Sequence, residues 1–375
     1  MMSDEYLKNP RVKIEPDTFV KSAFAPELME TVRRFHASIP EYRVTPLHSL
    51  ENLAARLEIA SLWVKDETNR FGLNAFKGLG VAYAMNRFLE NHPAKSSGSV
   101  PIWVTATDGN HGHALAWAAL CLGHHAVIFG PKTMPEKRIQ RMQSLGARVS
   151  VLPGNYDEAV LHARRAARQN GWNLLQDTAV HDREQIPLWI MQGYTTLLTE
   201  TLEQLRGKLP THVFVQCGVG SLAASMTAGL ACRFAGQKPR VFIVEARAAA
   251  CCFKSMKKND GKIHAVRGAL DTVMSGLACG QPSRLAWPIL EDLAHGFFRC
   301  DDSTALLGQR GYRNPLKGNP TLQAGESGAV TLGLLMNLSA GKSPDRNSLL
   351  NRSSRVLLLL TEGPTRDLCD RKKTP

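Results

Sequence analysis

Short apolar runs alternate with longer amphipathic stretches along most of this chain. Ala126–Phe129, Val149–Leu152, Val213–Gln216, Val241–Glu245 and Val356–Leu360 are apolar and nearly free of charge, the pattern of strands buried on both faces. Leu62–Lys65 and Pro101–Thr105 are read the same way. Between them, Lys77–Glu90, Ala114–Leu122, Pro135–Gly146, Tyr156–Asn170, Gln192–Leu205 and Ser221–Phe234 fit helices. This alternation predicts an α/β fold of parallel sheets with helices on both faces. Residues 1–45 are instead read as polar and irregular, because Pro10, Pro16, Pro26 and Pro40 interrupt any long element. No internal repeat, low-complexity tract or linker marks a domain boundary.

A length of 375 residues suggests roughly two domains and is ample for a large core. The 46 Lys and Arg against 33 Asp and Glu give a formal charge of +13, but only 21% of residues are charged and 43% are hydrophobic. That balance excludes a disordered polybasic chain. The basic residues are scattered, dense only at Lys254–Lys258, Arg164–Arg168 and residues 371–373, and no zinc-finger or RNA-binding aromatic motif accompanies them. No nucleic-acid partner is therefore expected. Eight cysteines form no CxxC pair and no His/Cys cluster, so neither a metal site nor a disulfide framework is expected. The apolar stretch from Ala114 ends at His124 and His125, and no run is long enough for a membrane span. The first residues are charged and lack an apolar centre, so the reading is a cytoplasmic protein with reduced thiols.

Candidate chemistry sits where strands end. Cys217-Gly218-Val219-Gly220-Ser221 follows a predicted strand and opens a helix, a setting in which backbone N–H groups meet an anion at the positive helix end. The same segment, read as Gly218-x-Gly220-x-x-Ala223 with Glu245 at the end of the next strand, satisfies a dinucleotide fingerprint and admits an NAD(P)-binding oxidoreductase. Lys77 begins a helix after Phe76, where the positive helix end favours the neutral amine needed for imine chemistry. Thr107-Asp108-Gly109-Asn110-His111-Gly112 follows the strand at Pro101–Thr105; it reads either as a ligand loop or as a helix cap supplied by Asp108 or Asn110. Gln176-Asp177-Thr178 and Thr361-Glu362-Gly363 likewise place polar groups at strand ends, and each alone reads as a turn.

In this order, Lys77, Asn110, Gly218–Ser221 and Thr361 resemble the fold-type II pyridoxal-phosphate enzymes, over most of the chain. The resemblance implies pyridoxal 5'-phosphate as cofactor, linked to Lys77. It implies that Asn110 holds the phenolic oxygen, that Cys217, Gly218, Val219, Gly220 and Ser221 take the phosphate, and that Thr361 faces the pyridine nitrogen. It also implies two open twisted parallel-sheet domains, a larger one of residues 1–84 and 191–375 and a smaller inserted one of residues 85–190, with the coenzyme between them, and a homodimer. FGLNAFKGLG (71–80), TATDGNHG (105–112), QDTA (176–179), PLWIMQGY (187–194), MSGLACGQPS (274–283), GESGAV (325–330) and LTEGPTRD (360–367) are similar to the branch that acts on 2,3-diaminopropionate. That likeness implies α,β-elimination to pyruvate and two ammonia, with Asp108 the base for the D and Asp177 for the L substrate. A serine or threonine dehydratase of the same fold is the alternative, and a non-catalytic relative is disfavoured by the intact Lys77. Gly308–Pro320 reads as looser than the family's pattern, and Cys252 and Cys279 fall in segments expected near the substrate entrance, with free thiols favoured over a disulfide.

Overall fold

Residues 4–93, 100–107, 109–181, 184–234, 236–340 and 349–364 are described by the computed structural model. Among them eleven strands form two sheets. The larger has the order β1-β10-β9-β8-β11-β3-β2, where β1 is Glu5–Lys8, β2 Leu47–Ser49, β3 Ser61–Asp66, β8 His212–Gln216, β9 Arg240–Ala246, β10 Gly296–Cys300 and β11 Arg355–Leu360. The smaller, β6-β5-β4-β7, is built from β4 Ile102–Ala106, β5 His125–Pro131, β6 Arg148–Leu152 and β7 Asn173–Leu174. All pairings within the smaller sheet are parallel.

Every residue of β8 is buried, as are Val356–Leu360 of β11. The apolar runs Val213–Val215 and Val356–Leu360 follow from helices covering both faces. The purely parallel expectation needs correction at the margins of the larger sheet. There β1 pairs antiparallel with β10 and β2 pairs antiparallel with β3, and both edge strands are short and half-exposed. Short polar edges resist further pairing with other chains, and for the same reason they carry no strong apolar signal.

The irregular reading of residues 1–45 is also corrected. Helices span Thr18–Ala23 and Pro26–Ala37. Pro26 stands in the first turn of the second helix, where a missing N–H removes no helical bond. The Asp17 side chain accepts the Val20 N–H and caps the first helix. Gly308 likewise falls inside a helix, Asp302–Arg313, and irregular chain begins only after it. This helix lies against Glu326–Ser339, backbone to backbone: a Cβ on Gly308 would stand 2.0 Å from the Ala329 carbonyl oxygen, and one on Gly333 would stand 1.8 Å from that of Thr304. No helix among the described residues is long and apolar enough to cross a membrane.

Candidate active site

The carboxyl ends of β3, β4, β7, β8 and β11 carry the segments singled out by sequence, and such ends are where parallel α/β sheets bind ligands. Lys77, Asn110, Asp177, Gly218, Thr361 and Glu362 line one cleft. Asp108 lies outside the described residues.

The chain from β3 to Lys77 is anchored by buried charge. Arg70 pairs with Glu67 and with Glu200, both at 2.8 Å, while Lys65 Nζ reaches Glu200 at 2.7 Å, and all four side chains are fully buried. Two cations balance two carboxylates, so none is left uncompensated; losing one partner of such a set is costly. Further along, the Phe76 N–H donates to the Thr361 carbonyl and the Gly363 N–H to that of Asn74. These bonds tie the Lys77 segment to the end of β11. Lys77 itself stands at the N-cap position of the helix Gly78–Asn91. Its partner is Asp177: Nζ lies 2.5 Å from Oδ2. Beside the helix end pointed to by the sequence, a carboxylate thus also faces this lysine directly.

Asp177 is held on several sides. Its Oδ1 accepts from the Tyr156 hydroxyl at 3.2 Å, and His111 Nδ1 lies 3.8 Å from Oδ2. Burial pushes the acid upward, but the charges of Lys77 and His111 and the hydrogen bonds from Lys77 and Tyr156 outweigh it, leaving the group well below the ordinary carboxylate range. It is thus a carboxylate aimed at the cleft. Gln176 orders the strand end beside it, accepting from the Ala106 N–H at 2.9 Å and donating to the Tyr156 oxygen at 3.0 Å.

Asn110 opens the helix Asn110–Cys121. Among the described residues Thr107 supplies a cap, its Oγ1 accepting the N–H groups of Gly109 (2.9 Å) and Gly112 (3.2 Å). That leaves the Asn110 side chain available, and its Nδ2 donates to the Glu362 carboxylate.

At the end of β8 the loop Cys217–Gly220 leads into the helix Ser221–Arg233. Gly220 has φ +100°, a backbone conformation costly for other residues, and a Cβ on Gly218 would stand 3.1 Å from the Gly276 carbonyl oxygen. The loop therefore keeps bare backbone at a buried helix N-terminus, which fits a phosphate. The Ser221 hydroxyl donates to the Asp177 carbonyl at 2.5 Å, linking this loop to the acid. Across the cleft, Thr361 Oγ1 accepts from Gln216 Nε2 at 2.7 Å. Its own hydrogen then remains to be donated, which suits an unprotonated ring nitrogen. These groups together fit a phosphorylated pyridine.

The dinucleotide reading fails at Glu245. This side chain is fully buried, accepts the N–H groups of Cys252 (2.8 Å) and Phe253 (2.7 Å) in the helix Cys251–Lys258, and is not among the residues that line the cleft. Burial raises its carboxyl to about 8 although those N–H groups pull it down. In the folded chain it keeps a proton that the unfolded chain releases near 4.5. Stability should therefore fall as pH rises through that window. Glu245→Gln is expected to flatten the slope, checked by comparing melting temperatures at about pH 5 and pH 8.

Cys252 and Cys279 are both free thiols. Cys252 is not at an entrance: it is fully buried, with its sulfur 3.7 Å from that of Cys217. With Glu245 these two thiols bring three possible ligand atoms within 4.8 Å of one another, a grouping the sequence did not suggest. His111 and Gln176 were noticed only as members of their loop segments, and Tyr156 and Gln216 only as the ends of a helix and a strand, with no role of their own. Glu362 was noticed only as part of a turn, although its place after Thr361 was the signal available.

Residues 39–349 match the family model described as pyridoxal-phosphate dependent enzyme. The diaminopropionate ammonia-lyase of Salmonella typhimurium is 42% identical over 357 residues, covering 89% of this chain and 88% of that protein. A crystal structure of the Escherichia coli diaminopropionate ammonia lyase, in complex with an aminoacrylate-PLP azomethine reaction intermediate, superposes with a TM-score of 0.88 at 39% identity, covering 97% of this chain and 94% of that one. The biosynthetic L-threonine dehydratase of Haemophilus influenzae is more distant, 30% identical over 58% of this chain and 39% of its own.

Proposed function

Because the chain belongs to the pyridoxal-phosphate dependent enzymes of fold-type II, with pyridoxal 5'-phosphate as cofactor, we propose that it eliminates ammonia from 2,3-diaminopropionate. The products are pyruvate and two ammonia, the second released by hydrolysis of the enamine product. The observation that carries this reading is the Lys77 to Asp177 pair, which sets an amine and a buried carboxylate 2.5 Å apart across the cleft. The extent of the likeness to ammonia-lyases supports the substrate.

When bound, the coenzyme supplies an electron sink for the carbanion at the substrate's α-carbon. Lys77 would hold it through Nζ, the Cys217–Ser221 loop would hold its phosphate, Asn110 its phenolic oxygen and Thr361 its ring nitrogen. Asp177 removes the α-proton of the L substrate, a role suited to an acid kept ionised by its neighbours. Asp108 does the same for the D substrate. An amine leaves only when protonated, and the Lys77 ammonium donates that proton. Tyr156 and Gln176 keep Asp177 in place while this happens. The larger body, 1–84 and 191–375, and the inserted body, 85–190, belong to the same reading, supported by the confinement of the whole four-stranded sheet to 102–174. So does a homodimer, which light scattering would check.

The deciding experiment records the visible absorption of the purified protein before and after D- and then L-2,3-diaminopropionate, while pyruvate and ammonia are assayed. A coenzyme band that shifts and returns as substrate is consumed, with two ammonia per pyruvate, is the expected result. Turnover of serine or threonine in preference to the diamino acid would move the assignment to the dehydratases.

A further inference from the structure

We infer that Glu362 is a positioning residue, whose carboxylate sets the amide of Asn110 so that an N–H of that amide is presented to the phenolic oxygen of the bound coenzyme. The inference rests on the role proposed above for Asn110. An asparagine amide has a donating end and an accepting end of nearly equal shape, and which end faces a ligand is decided by its neighbours. Here the neighbour is an ionisable group that, as a carboxylate, only accepts. Nδ2 therefore faces Glu362, and the second hydrogen on the same nitrogen is left for the cleft.

Glu362 is built into this position. It is 3% exposed, forms an antiparallel bridge with Ala75 two residues before Lys77, and its carbonyl accepts the Gly325 N–H at 2.9 Å. Glycines surround it. A Cβ on Gly325 would lie 2.9 Å from both Cγ and Oε1 of Glu362, and one on Gly328 would lie 3.0 Å from its carbonyl oxygen. Gly276 contributes a third bare position, 3.8 Å from Oε2. A side chain at Gly325 would crowd the carboxylate itself and one at Gly328 the backbone that carries it, whereas at Gly276 a Cβ would only touch it, so the seat depends on the first two glycines. Glutamine in the same seat could either donate or accept, and the amide of Asn110 would no longer be held in one orientation.

The test reads the coenzyme and not the turnover of diaminopropionate, so it is independent of the substrate assignment. Coenzyme dissociation is followed by dialysis, and the visible band of the loaded protein is recorded as a function of pH, for wild type, Glu362→Gln, Glu362→Asp, Asn110→Ala and the double variant Glu362→Gln/Asn110→Ala. Circular dichroism confirms that each is folded. Glu362→Gln should release the coenzyme about tenfold more readily, the scale of one lost charge-assisted hydrogen bond, and should move the pH dependence of the band. Glu362→Asp, one methylene too short, should behave in the same way. In the Asn110→Ala background Glu362→Gln should add almost nothing. A Glu362→Gln protein with wild-type retention and band, or losses that add in full in the double variant, would overturn the inference. If Asn110→Ala itself retained the coenzyme like the wild type, the role of Asn110 would fall and this inference with it, while the diaminopropionate assignment would stand untouched.

Discussion

Lys77→Ala is expected to lose turnover by on the order of 10⁴-fold or more and to hold the coenzyme without a covalent bond. Among the described residues lining the cleft, Lys77 supplies the side-chain amine, and two jobs converge on it: attachment of the coenzyme and protonation of the leaving amine. Their loss together explains the size of the effect. Borohydride reduction followed by mass spectrometry should find the coenzyme on the Lys77 peptide in the wild type and none in the variant. Turnover within tenfold of wild type would mean that neither job belongs to this residue. The variant should still fold, because the buried set Lys65, Arg70, Glu67 and Glu200 that anchors the preceding chain is untouched.

The second large effect is a separation of mirror-image substrates. Asp177→Asn should cost about 10³-fold on the L isomer with a far smaller loss on the D isomer, and Asp108→Asn should give the converse. Some loss on both is expected for Asp177→Asn, since the amide gives up the ion pair with Lys77 and its single oxygen replaces the two that serve Lys77 and Tyr156. The measurement is kcat/KM for each enantiomer in each variant. Equal loss of both isomers in Asp108→Asn would refute the assignment of one base to each face. Because Asp177 is held well below the ordinary carboxylate range, it stays ionised through the weakly acidic range in which ordinary carboxylates titrate. The acidic limb of the L-isomer profile should therefore not report its titration.

Much of this architecture was legible because its central strands are buried on both faces and so have nothing polar to hide the pattern. The helices on Pro26–Ala37 and Asp302–Arg313 were hidden by a proline and a glycine whose positions, at a first turn and at a helix contact, are tertiary facts. The order of Lys77, Asn110, the glycine loop and Thr361 was readable because each follows a strand. Glu245 was open to misreading for the same reason: a carboxylate after a strand looks alike whether it faces a ligand or caps a helix, as it does here. Glu362 was passed over because its meaning comes from Asn110, 252 positions away along the chain. No local pattern encodes such a partnership.

The place of β11 bears on how the molecule is made. It is the last strand among the described residues yet lies in the middle of the larger sheet, between β8 and β3. Those two cannot be joined until residues 355–360 have been synthesised, whereas the four-stranded sheet draws only on residues 102–174 and can assemble long before. During translation the inserted sheet is thus free to form early while the larger one waits in two parts, with one edge of β8 and one of β3 unpaired, an arrangement that exposes apolar edges until β11 arrives. Thr361 and Glu362 arrive directly behind that strand, so the pocket is completed in the same event that closes the sheet, and a ribosome-bound intermediate carries no half-built catalyst.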